Sequence, residues 1–284
     1  MNSSQFKKSQ LKHLCAILGC QTLELEYITT HINDYYKEWF EKKKSNETGD
    51  YKTYKDGTIK QRAIRPSLRK LKVIQSLIKD KILVPITLPD NIHGGVKGKN
   101  NVTNAKPHQG KKYKFTTDLQ NFYPSIKHKQ VYNTFILLGY SDHLAHWLTK
   151  LTTWKYELPQ GTPTSTHIAN LVFLETDKKL IELAERHNLT YTRYVDDLTF
   201  SSQQDFKSIL NDILNIVQES GFNISYRKTK YSGNQVVTGI EIFNNSIDVP
   251  KKIKVKAKEE KLSGNSIKPY TNYLEMVRRT NRKK

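Results

Sequence analysis

The chain has little of what stabilises small secreted proteins or anchors membrane proteins. Its 284 residues include two cysteines, Cys15 and Cys20, whose spacing fits neither a zinc knuckle nor a disulfide framework. The first residues lack the apolar stretch of a signal peptide, and no apolar run is long enough to cross a bilayer. These absences predict a soluble, cytoplasmic protein with free thiols and no membrane contact.

Acidic residues are scarce as well. Lys and Arg number 47 against 27 Asp and Glu, a formal net charge of +20. Residues 91–117 contain six lysines and no acid, and residues 245–284 contain 12 basic and 4 acidic residues. Such an excess attracts polyanions and releases their counterions on binding. The balance predicts a nucleic-acid partner, although a ribosomal or chaperone-like basic protein would share it.

Apolar periodicity and turn residues predict an α+β protein. The N-terminal part predicts two helical pieces over 5–43, a hairpin over 51–64 turning at Asp56-Gly57, a helix capped by Ser67 and stopped before Pro85, and a flexible basic loop at Gly94, Gly95 and Gly98. The middle part predicts a strand over 113–119, helices over 130–138, 142–153 and 165–187, a hairpin over 190–201, a helix over 205–220, and strands over 223–226, 236–242 and 247–249. This order is typical of a split βαβ layout, an antiparallel sheet with helices on one face. After Pro250 the chain is predicted to be helical and basic.

Three carboxylates fall where this layout would gather them. Asp118 ends a predicted strand, and Asp196 and Asp197 lie at the tip of a predicted hairpin. Phosphoryl transfer to a growing strand uses two divalent cations held by hard oxygen ligands. Each aspartate could instead be an ordinary turn or cap residue. Adjacent carboxylates between hydrophobic strands repel each other unless a cation joins them, so the pattern favours a metal site.

Four segments resemble the polymerase motifs A to D of reverse transcriptases, in the same order. They are Asp118-Leu-Gln-Asn-Phe-Tyr123-Pro-Ser, Leu158-Pro-Gln160-Gly161-Thr-Pro-Thr-Ser, Tyr194-Val-Asp-Asp197 and Gly221-Phe-Asn-Ile-Ser-Tyr-Arg-Lys228-Thr. Two more segments resemble elements of bacterial retron reverse transcriptases: Asn104-Ala-Lys-Pro-His108 before motif A and Val237-Thr238-Gly239 after motif D. Each short element could occur by chance, and Asn104 could merely start a turn. Together they favour a retron enzyme over a group II intron-like or other defence-associated reverse transcriptase.

The resemblance implies a right-hand polymerase. Fingers are expected within residues 1–112 and part of 125–160, and a ferredoxin-like palm within 113–243. A short basic helical thumb is expected within 244–284.

The resemblance also implies roles at the reaction centre. Asp118, Asp196, Asp197 and the carbonyl of Leu119 would bind two Mg²⁺ ions, with Mn²⁺ as a substitute, and Lys228 would protonate pyrophosphate. Around the incoming dNTP, Tyr123 would be the steric gate, Gln160 and Gly161 would approach the base pair, and Lys60, Arg62 and Arg65 would hold the triphosphate, Arg62 first among them. Tyr123 could instead be a core aromatic residue, and the cations a solvated face.

The resemblance further implies partners. They are a cognate structured noncoding RNA (msr-msd), the msDNA product that grows from an internal guanosine 2′-hydroxyl, dNTPs, and a separate effector or toxin protein in antiphage defence. Residues expected to contact the RNA are Asn104, His108, Val237, Thr238, Gly239, Lys251, Lys252, Lys254 and Lys256. The rival interpretations are an RNA-copying RNA polymerase and a non-catalytic RNA-binding scaffold on a polymerase fold.

Overall fold

The computed structural model describes residues 3–44, 50–54, 56–233, 236–263 and 266–281. Its contacts define two units. Unit 1 comprises residues 1–87 and 123–172, and unit 2 comprises residues 88–122 and 173–284. Part of the predicted basic segment, 264–265 and 282–284, lies outside the described residues. Over the described ranges, no helix has the length and apolar character needed to cross a membrane.

The helices and strands are numbered in chain order. The α-helices are α1 (Ser3–Ile17), α2 (Thr22–Thr30), α3 (Arg69–Ile78), α4 (Asn101–Ala105), α5 (Phe122–Ser125), α6 (His128–Leu137), α7 (Asp142–Thr152), α8 (Ser165–Val172), α9 (Leu174–Arg186), α10 (Leu210–Glu219), α11 (Lys251–Leu262) and α12 (Pro269–Arg279). The strands are β1 (Trp39–Lys42), β2 (Gln61–Ile64), β3 (Tyr113–Asp118), β4 (Thr190–Tyr194), β5 (Asp197–Ser202), β6 (Lys230–Ser232), β7 (Val236–Val237), β8 (Ile240–Ile242) and β9 (Ile247–Asp248). Short 3₁₀ turns cover Ile32–Tyr35, Lys106–His108, Lys207–Ile209 and Tyr226–Lys228, and a π-helical turn covers Lys79–Leu83.

In its described residues unit 1 is mainly helical, and strands β1 and β2 pair antiparallel. The apolar stripe of α3, which includes Leu71, Ile74 and Ile78, is fully buried, as the spacing of its apolar residues predicts. The buried amide of Gln75 donates to the carbonyl of Leu151 in α7 at 2.7 Å. This bond satisfies a polar group inside the helical core and ties α3 to α7.

Two predictions for unit 1 are wrong. Residues 31–43 do not continue the second helix, because β1 forms there and pairs with β2 in the register Trp39↔Ile64. Aromatic residues favour such strand pairing over a helix. Ser67 does not cap α3: Leu68 occupies the N-cap position without a side-chain cap bond. The turn at Asp56-Gly57 is confirmed, with Gly57 at φ +83° and the Asp56 carboxylate accepting from the Thr58 amide at 3.0 Å.

Unit 2 contains an antiparallel sheet in the order β4-β5-β3-β6. Tyr191 and Arg193 of β4 bond to Asp177 of α9, whereas Thr192, between them, bonds to His108. Because successive strand residues point to opposite faces, α9 covers one face and the segment of residues 101–108 covers the other. The predicted antiparallel sheet is confirmed, but the prediction of helices on one face is incomplete.

Other differences in unit 2 concern segment boundaries. The predicted helix over 165–187 is two helices, α8 and α9, that meet at Phe173, where the chain passes from unit 1 to unit 2. The predicted strand over 223–226 is reduced to one bridge between Ile224 and Leu119. The strand that pairs with β3 at this edge of the sheet is β6 instead.

Unit 2 has a second apolar core, which brings together residues from the early part and the last part of this unit. Strands β7 to β9 form a small antiparallel sheet. Its buried apolar residues pack with those of α4, α11 and α12: Val102, Ala105, Val237, Ile240, Ile242, Ile247, Val249, Ala257, Leu274 and Val277. The helices predicted after Pro250 are confirmed, and they share this core.

Candidate active site

Three carboxylates meet at one end of the large sheet of unit 2. Asp118 is the last residue of β3 and is directly paired with Asp197, the first residue of β5. Asp196 lies in the turn before β5, and carboxylate oxygens of all three aspartates lie within 4.8 Å of one another. The Leu119 amide donates to the Asp196 carbonyl at 2.9 Å, and the Ser225 amide to the Asp118 carbonyl at 2.8 Å. Backbone bonds therefore fix the strand ends that carry these side chains.

The electrostatics of the three carboxylates favour a bound cation. Burial, and then the negative charges of Asp196 and Asp118, raises the pKa of Asp197 to about 8. Lys228 Nζ lies 2.5 Å from Asp118 Oδ2 while its side chain remains 47% exposed. Hard oxygen donors at this separation, repelling one another when ionised, fit a divalent cation.

The turn that carries Asp196 has an unusual backbone. Val195 lies at φ +59°, a left-handed conformation that is costly for a β-branched residue. An added Cβ on Gly94 would lie 2.4 Å from the Val195 nitrogen. The His93 amide donates to the Arg193 carbonyl, and the Arg193 amide to the Asn91 carbonyl, both at 2.8 Å. The loop predicted to be flexible and basic is thus bonded along β4 at Asn91 and His93, and Gly94 is needed for its close approach to the turn.

A fully buried ion pair lies beneath the turn. The Arg193 guanidinium binds Asp177 through Nη2 at 2.6 Å and Nε at 2.9 Å, and both side chains are 0% exposed. Burial acts to lower the pKa of Arg193, but the charge and hydrogen bonds of Asp177 outweigh it and raise that pKa. The same guanidinium donates to the Val195 carbonyl at 2.9 Å. Arg193 therefore connects α9 to the strained residue of the turn.

Sequence reasoning singled out neither Arg193 nor Asp177, and it placed Gly94 in a loop without a role. A signal was present, because Arg193 alternates with Tyr191 and so shares one face of β4 with it, and Asp177 falls on the apolar side of α9 with Leu180. Charged residues at inward positions are almost always paired.

The predicted triphosphate cations all lie in unit 1. Arg62 in β2 is 46% exposed, with Glu41 at 3.5 Å. Arg65 is 15% exposed and pairs with both Glu38 and Glu157. The Lys60 ammonium lies over the Tyr54 ring at 4.6 Å. Arg62 is thus the more accessible of the two arginines, whereas Arg65 stabilises its own unit.

The remaining nucleotide candidates also lie in unit 1. The half-buried Tyr123 makes a 2.9 Å hydrogen bond through its hydroxyl to Thr166 in the first turn of α8. Gln160 accepts from the Arg65 amide at 2.7 Å, and Gly161 adopts φ +109°, which favours glycine. These residues form a small cluster around the loop that precedes α8.

The two short retron-like elements contact each other. Asn104 Nδ2 donates to Thr238 Oγ1 at 3.3 Å, and Asn101 Nδ2 donates to the Thr238 carbonyl at 3.1 Å. Thr238 and Gly239 form the turn between β7 and β8 at φ +45° and +81°, as a two-residue hairpin turn requires.

Three side chains that were expected to contact RNA are buried instead. Asn104 and His108 are 0% exposed and Val237 is 1% exposed. His108 bonds to Thr192 at 2.8 Å and Ser201 at 2.7 Å, and burial lowers the pKa of His108 to about 3. These side chains are enclosed by protein, so they brace the sheet and the β7–β8 turn and are not available to RNA.

The predicted RNA-binding lysines of α11 divide into two pairs. Lys251 and Lys252 are exposed. Lys254 is ion-paired with Glu241 and Asp248, each at 3.2 Å, and Lys256 lies over the Tyr270 ring at 4.7 Å. The first pair is therefore open to a ligand, and the second pair binds α11 to its surroundings.

The comparisons with known proteins agree on one family. The family model described as reverse transcriptase (RNA-dependent DNA polymerase) matches residues 42–256. The retron Se72 reverse transcriptase of Salmonella heidelberg (strain 579083-10) is 34% identical over 73% of this chain and 53% of its own length. The retron Ec86 reverse transcriptase of Escherichia coli is 34% identical over 70% of this chain and 64% of its own length.

The chain spans roughly half to two thirds of the length of these curated relatives. A solved structure of apo telomerase from Candida Tropicalis, truncated from its C-terminal domain, covers 80% of this chain and 59% of its own at 11% identity, with a TM-score of 0.46. By the family match the chain belongs to the reverse transcriptase family. Within that family, it belongs with the bacterial retron reverse transcriptases.

Proposed function

We propose that the protein is the RNA-directed DNA polymerase of a retron. It copies part of a cognate structured noncoding RNA (msr-msd) into single-stranded DNA, starting from an internal guanosine 2′-hydroxyl, and yields branched RNA–DNA (msDNA). The observation that carries the polymerase proposal is the meeting of Asp118, Asp196 and Asp197 within 4.8 Å at a sheet end. Family membership supports the choice of template and product. The cellular role proposed is antiphage defence in the cytoplasm with a separate effector.

The reaction centre is assigned to unit 2. Asp118, Asp196, Asp197 and the Leu119 carbonyl would hold two Mg²⁺ ions, or Mn²⁺ in their place. When bound, these ions supply the attacking hydroxyl with a lower pKa and the leaving oxygens with charge stabilisation. Lys228, ion-paired with Asp118 and half exposed, would give a proton to pyrophosphate. Arg193 and Asp177 would hold the turn in position.

The nucleotide contacts are assigned to unit 1. Arg62, with Lys60 near it in the chain, would bind the triphosphate, because a guanidinium can bind phosphate oxygens in pairs. Arg65, paired with Glu38 and Glu157, would bind the triphosphate only by giving up these partners. The Tyr123 ring, held by Thr166, would exclude a 2′-hydroxyl, and the loop at Gln160 and Gly161 would approach the base pair. In the right-hand description, residues 1–112 and part of 125–160 serve as fingers, 113–243 as palm and 244–284 as thumb.

Primer extension tests this proposal. On an RNA template with an annealed DNA primer and Mg²⁺, the wild type should extend with dNTPs and hardly with rNTPs. Asp196→Asn should extend with neither yet still bind RNA, because it removes a metal ligand and no basic surface. Extension mainly with rNTPs would indicate an RNA polymerase. RNA binding without any extension by the wild type would indicate a scaffold.

Nucleotide selectivity tests the gate separately. Tyr123→Ala should raise rNTP use relative to dNTP use, because it opens space beside the sugar, whereas Tyr123→Phe keeps the ring and should keep the selectivity. Equal ratios of rNTP to dNTP use in wild type and Tyr123→Ala would make Tyr123 a packing residue.

A separate experiment tests the retron product. Nucleic acid co-purified from the native host should be shortened by RNase, by DNase and by a debranching enzyme. Resistance to debranching would contradict 2′-hydroxyl priming.

A further inference from the structure

Unit 1 contains a cavity that none of the polymerase roles uses. It lies among α1, α2 and α7 and has a volume of about 540 Å³, within the range of small-ligand sites. The side chains that matter for its chemistry are Lys7, Lys8, Lys12, Glu26, His143 and Trp147. The motif residues assigned to metal or dNTP are not among its lining residues.

The cavity is strongly cationic on one side. Lys7, Lys8 and Lys12 come from successive turns of α1, a helix whose residues 3–17 contain no acid. Glu26 is the acidic residue among those lining the cavity. Burial, and next the charge of Lys7, lowers the pKa of His143. The imidazole therefore adds no charge near neutral pH.

The opposite side is aromatic and firmly held. The rings of His143 and Trp147 meet edge to face, with centroids 6.4 Å apart and an interplanar angle of 86°. Ser141, the N-cap of α7, donates to Gln10 of α1 at 2.9 Å. Leu11, on the α1 side of the cavity, is 5% exposed. The helices that carry the lysines and the indole are thus packed together before any ligand arrives.

A cavity lined by an indole and three lysines matches one ligand chemistry especially well. Nucleic-acid bases stack on aromatic side chains in a sequence-tolerant way, and lysines beside the ring neutralise the adjoining phosphates. An acidic peptide would use the lysines and leave the indole without a planar partner. A membrane surface would meet the lysines without offering a planar group to stack on the indole.

We infer that this cavity binds an unpaired nucleotide of a single-stranded RNA, with the base against Trp147 and the flanking phosphates on Lys7, Lys8 and Lys12. The inference rests on the proposed function for the nature of the strand and is independent of the polymerase chemistry. It gives unit 1 an RNA contact in a part of the chain that begins before the family match at residue 42.

Photo-crosslinking of the full chain locates the contact directly. The probe is a short single-stranded RNA carrying 4-thiouridine, used with EDTA so that no polymerisation intervenes. Peptide mapping should find crosslinks at Trp147 or in residues 7–12, and competition by an oligoglutamate peptide should be weak. Crosslinks confined to other segments, or competition by the peptide equal to that by the unlabelled RNA, would overturn the inference.

Matched variants then separate this site from general charge. Lys7→Ala/Lys8→Ala/Lys12→Ala and Trp147→Leu should each weaken binding of the same RNA about tenfold. Lys72→Ala/Lys81→Ala/Lys129→Ala removes the same charge from exposed lysines of unit 1 that do not line the cavity, and it should change binding far less. Equal losses in both triple variants would overturn the inference.

Extension of an annealed primer at saturating concentration should stay near the wild-type rate in the α1 triple variant, which also verifies its folding. If wild-type protein crosslinks at Trp147 but extends no primer, the proposed polymerase function fails while this binding site stands. If it extends primers but crosslinks elsewhere, the polymerase function stands and this binding site fails.

Discussion

The active-site turn and helix α11 carry charge in opposite ways. At the turn, half-buried Asp196 and Asp197 lie above the wholly buried Arg193–Asp177 pair. On α11, Lys251 and Lys252 are exposed, and positive charge is spread along the helix. The carboxylates therefore depend on a supporting network, whereas the exposed lysines act nearly independently. A single change at the turn should have a large effect, and single changes on α11 should have small, cumulative ones.

The largest effect is expected beneath the turn. Asp177→Asn leaves the guanidinium of Arg193 buried without its counter-charge, which should cost about 3–5 kcal/mol of unfolding free energy and reduce primer extension severely. Urea unfolding measures the loss. The control is Glu175→Gln on the same helix, whose exposed pair with Lys178 at 2.7 Å should contribute no more than about 0.5 kcal/mol. Equal stability in the two variants would show that the buried pair does not support the turn.

A smaller change in stability, with a specific loss of activity, is expected at Gly94. In Gly94→Ala the added methyl would lie 2.4 Å from the Val195 nitrogen, so the turn must shift, at a cost of about 1–3 kcal/mol. Because that turn carries Asp196, the extension rate should fall far more than the folded fraction does.

Gly98→Ala provides the control for Gly94→Ala. Its methyl meets no atom within 4 Å, although Gly98 lies at φ +79°, so it brings backbone strain of about 1 kcal/mol without a clash. Primer extension near the wild-type rate is expected for this variant. If both variants lose activity equally, displacement of the turn by the Gly94 methyl does not explain the loss.

The smallest effects are expected on α11, and they differ between its two lysine pairs. Lys251→Gln/Lys252→Gln should weaken RNA binding several-fold and reduce the slope of log affinity against log salt by about 1 to 2, because two phosphate contacts are lost. Lys254→Gln should instead lower the thermal midpoint slightly by breaking its pairs with Glu241 and Asp248, with a weaker effect on salt dependence. Salt-titrated binding decides. Indistinguishable slopes for the first variant and wild type would leave α11 without an RNA role.

The sequence was sufficient for the parts of the fold that depend on local pattern. Asp118 at a strand end and Asp196 at a hairpin tip were both predicted, because alternating apolar residues set the strands and their antiparallel pairing then brings the ends together. The basic helices expected after Pro250 also form. Residues 31–43 were wrongly predicted to be helical, since pairing of Trp39 with Ile64 is a non-local contact that outweighs local helix preference.

Polar pairs between residues far apart in the chain could not be predicted from the sequence. Asn104 and Thr238 bond to each other although 134 positions separate them, and each was interpreted alone as an RNA contact. Arg193 and Asp177, 16 positions apart on different elements, raise the same difficulty. A motif shows which residues matter together, but not whether they face a ligand or one another.

Binding of Mn²⁺ tests the central claim, that the three carboxylates form a divalent-cation site. Paramagnetic resonance titration of the full chain should show Mn²⁺ binding in the wild type and strong weakening in Asp118→Asn and Asp196→Asn, with folding verified by circular dichroism. Because Asp197 must lose its proton to act as a ligand, and its pKa is raised to about 8, wild-type affinity should increase as pH rises through that value. Equal Mn²⁺ affinity in the wild type and both aspartate variants would contradict the account.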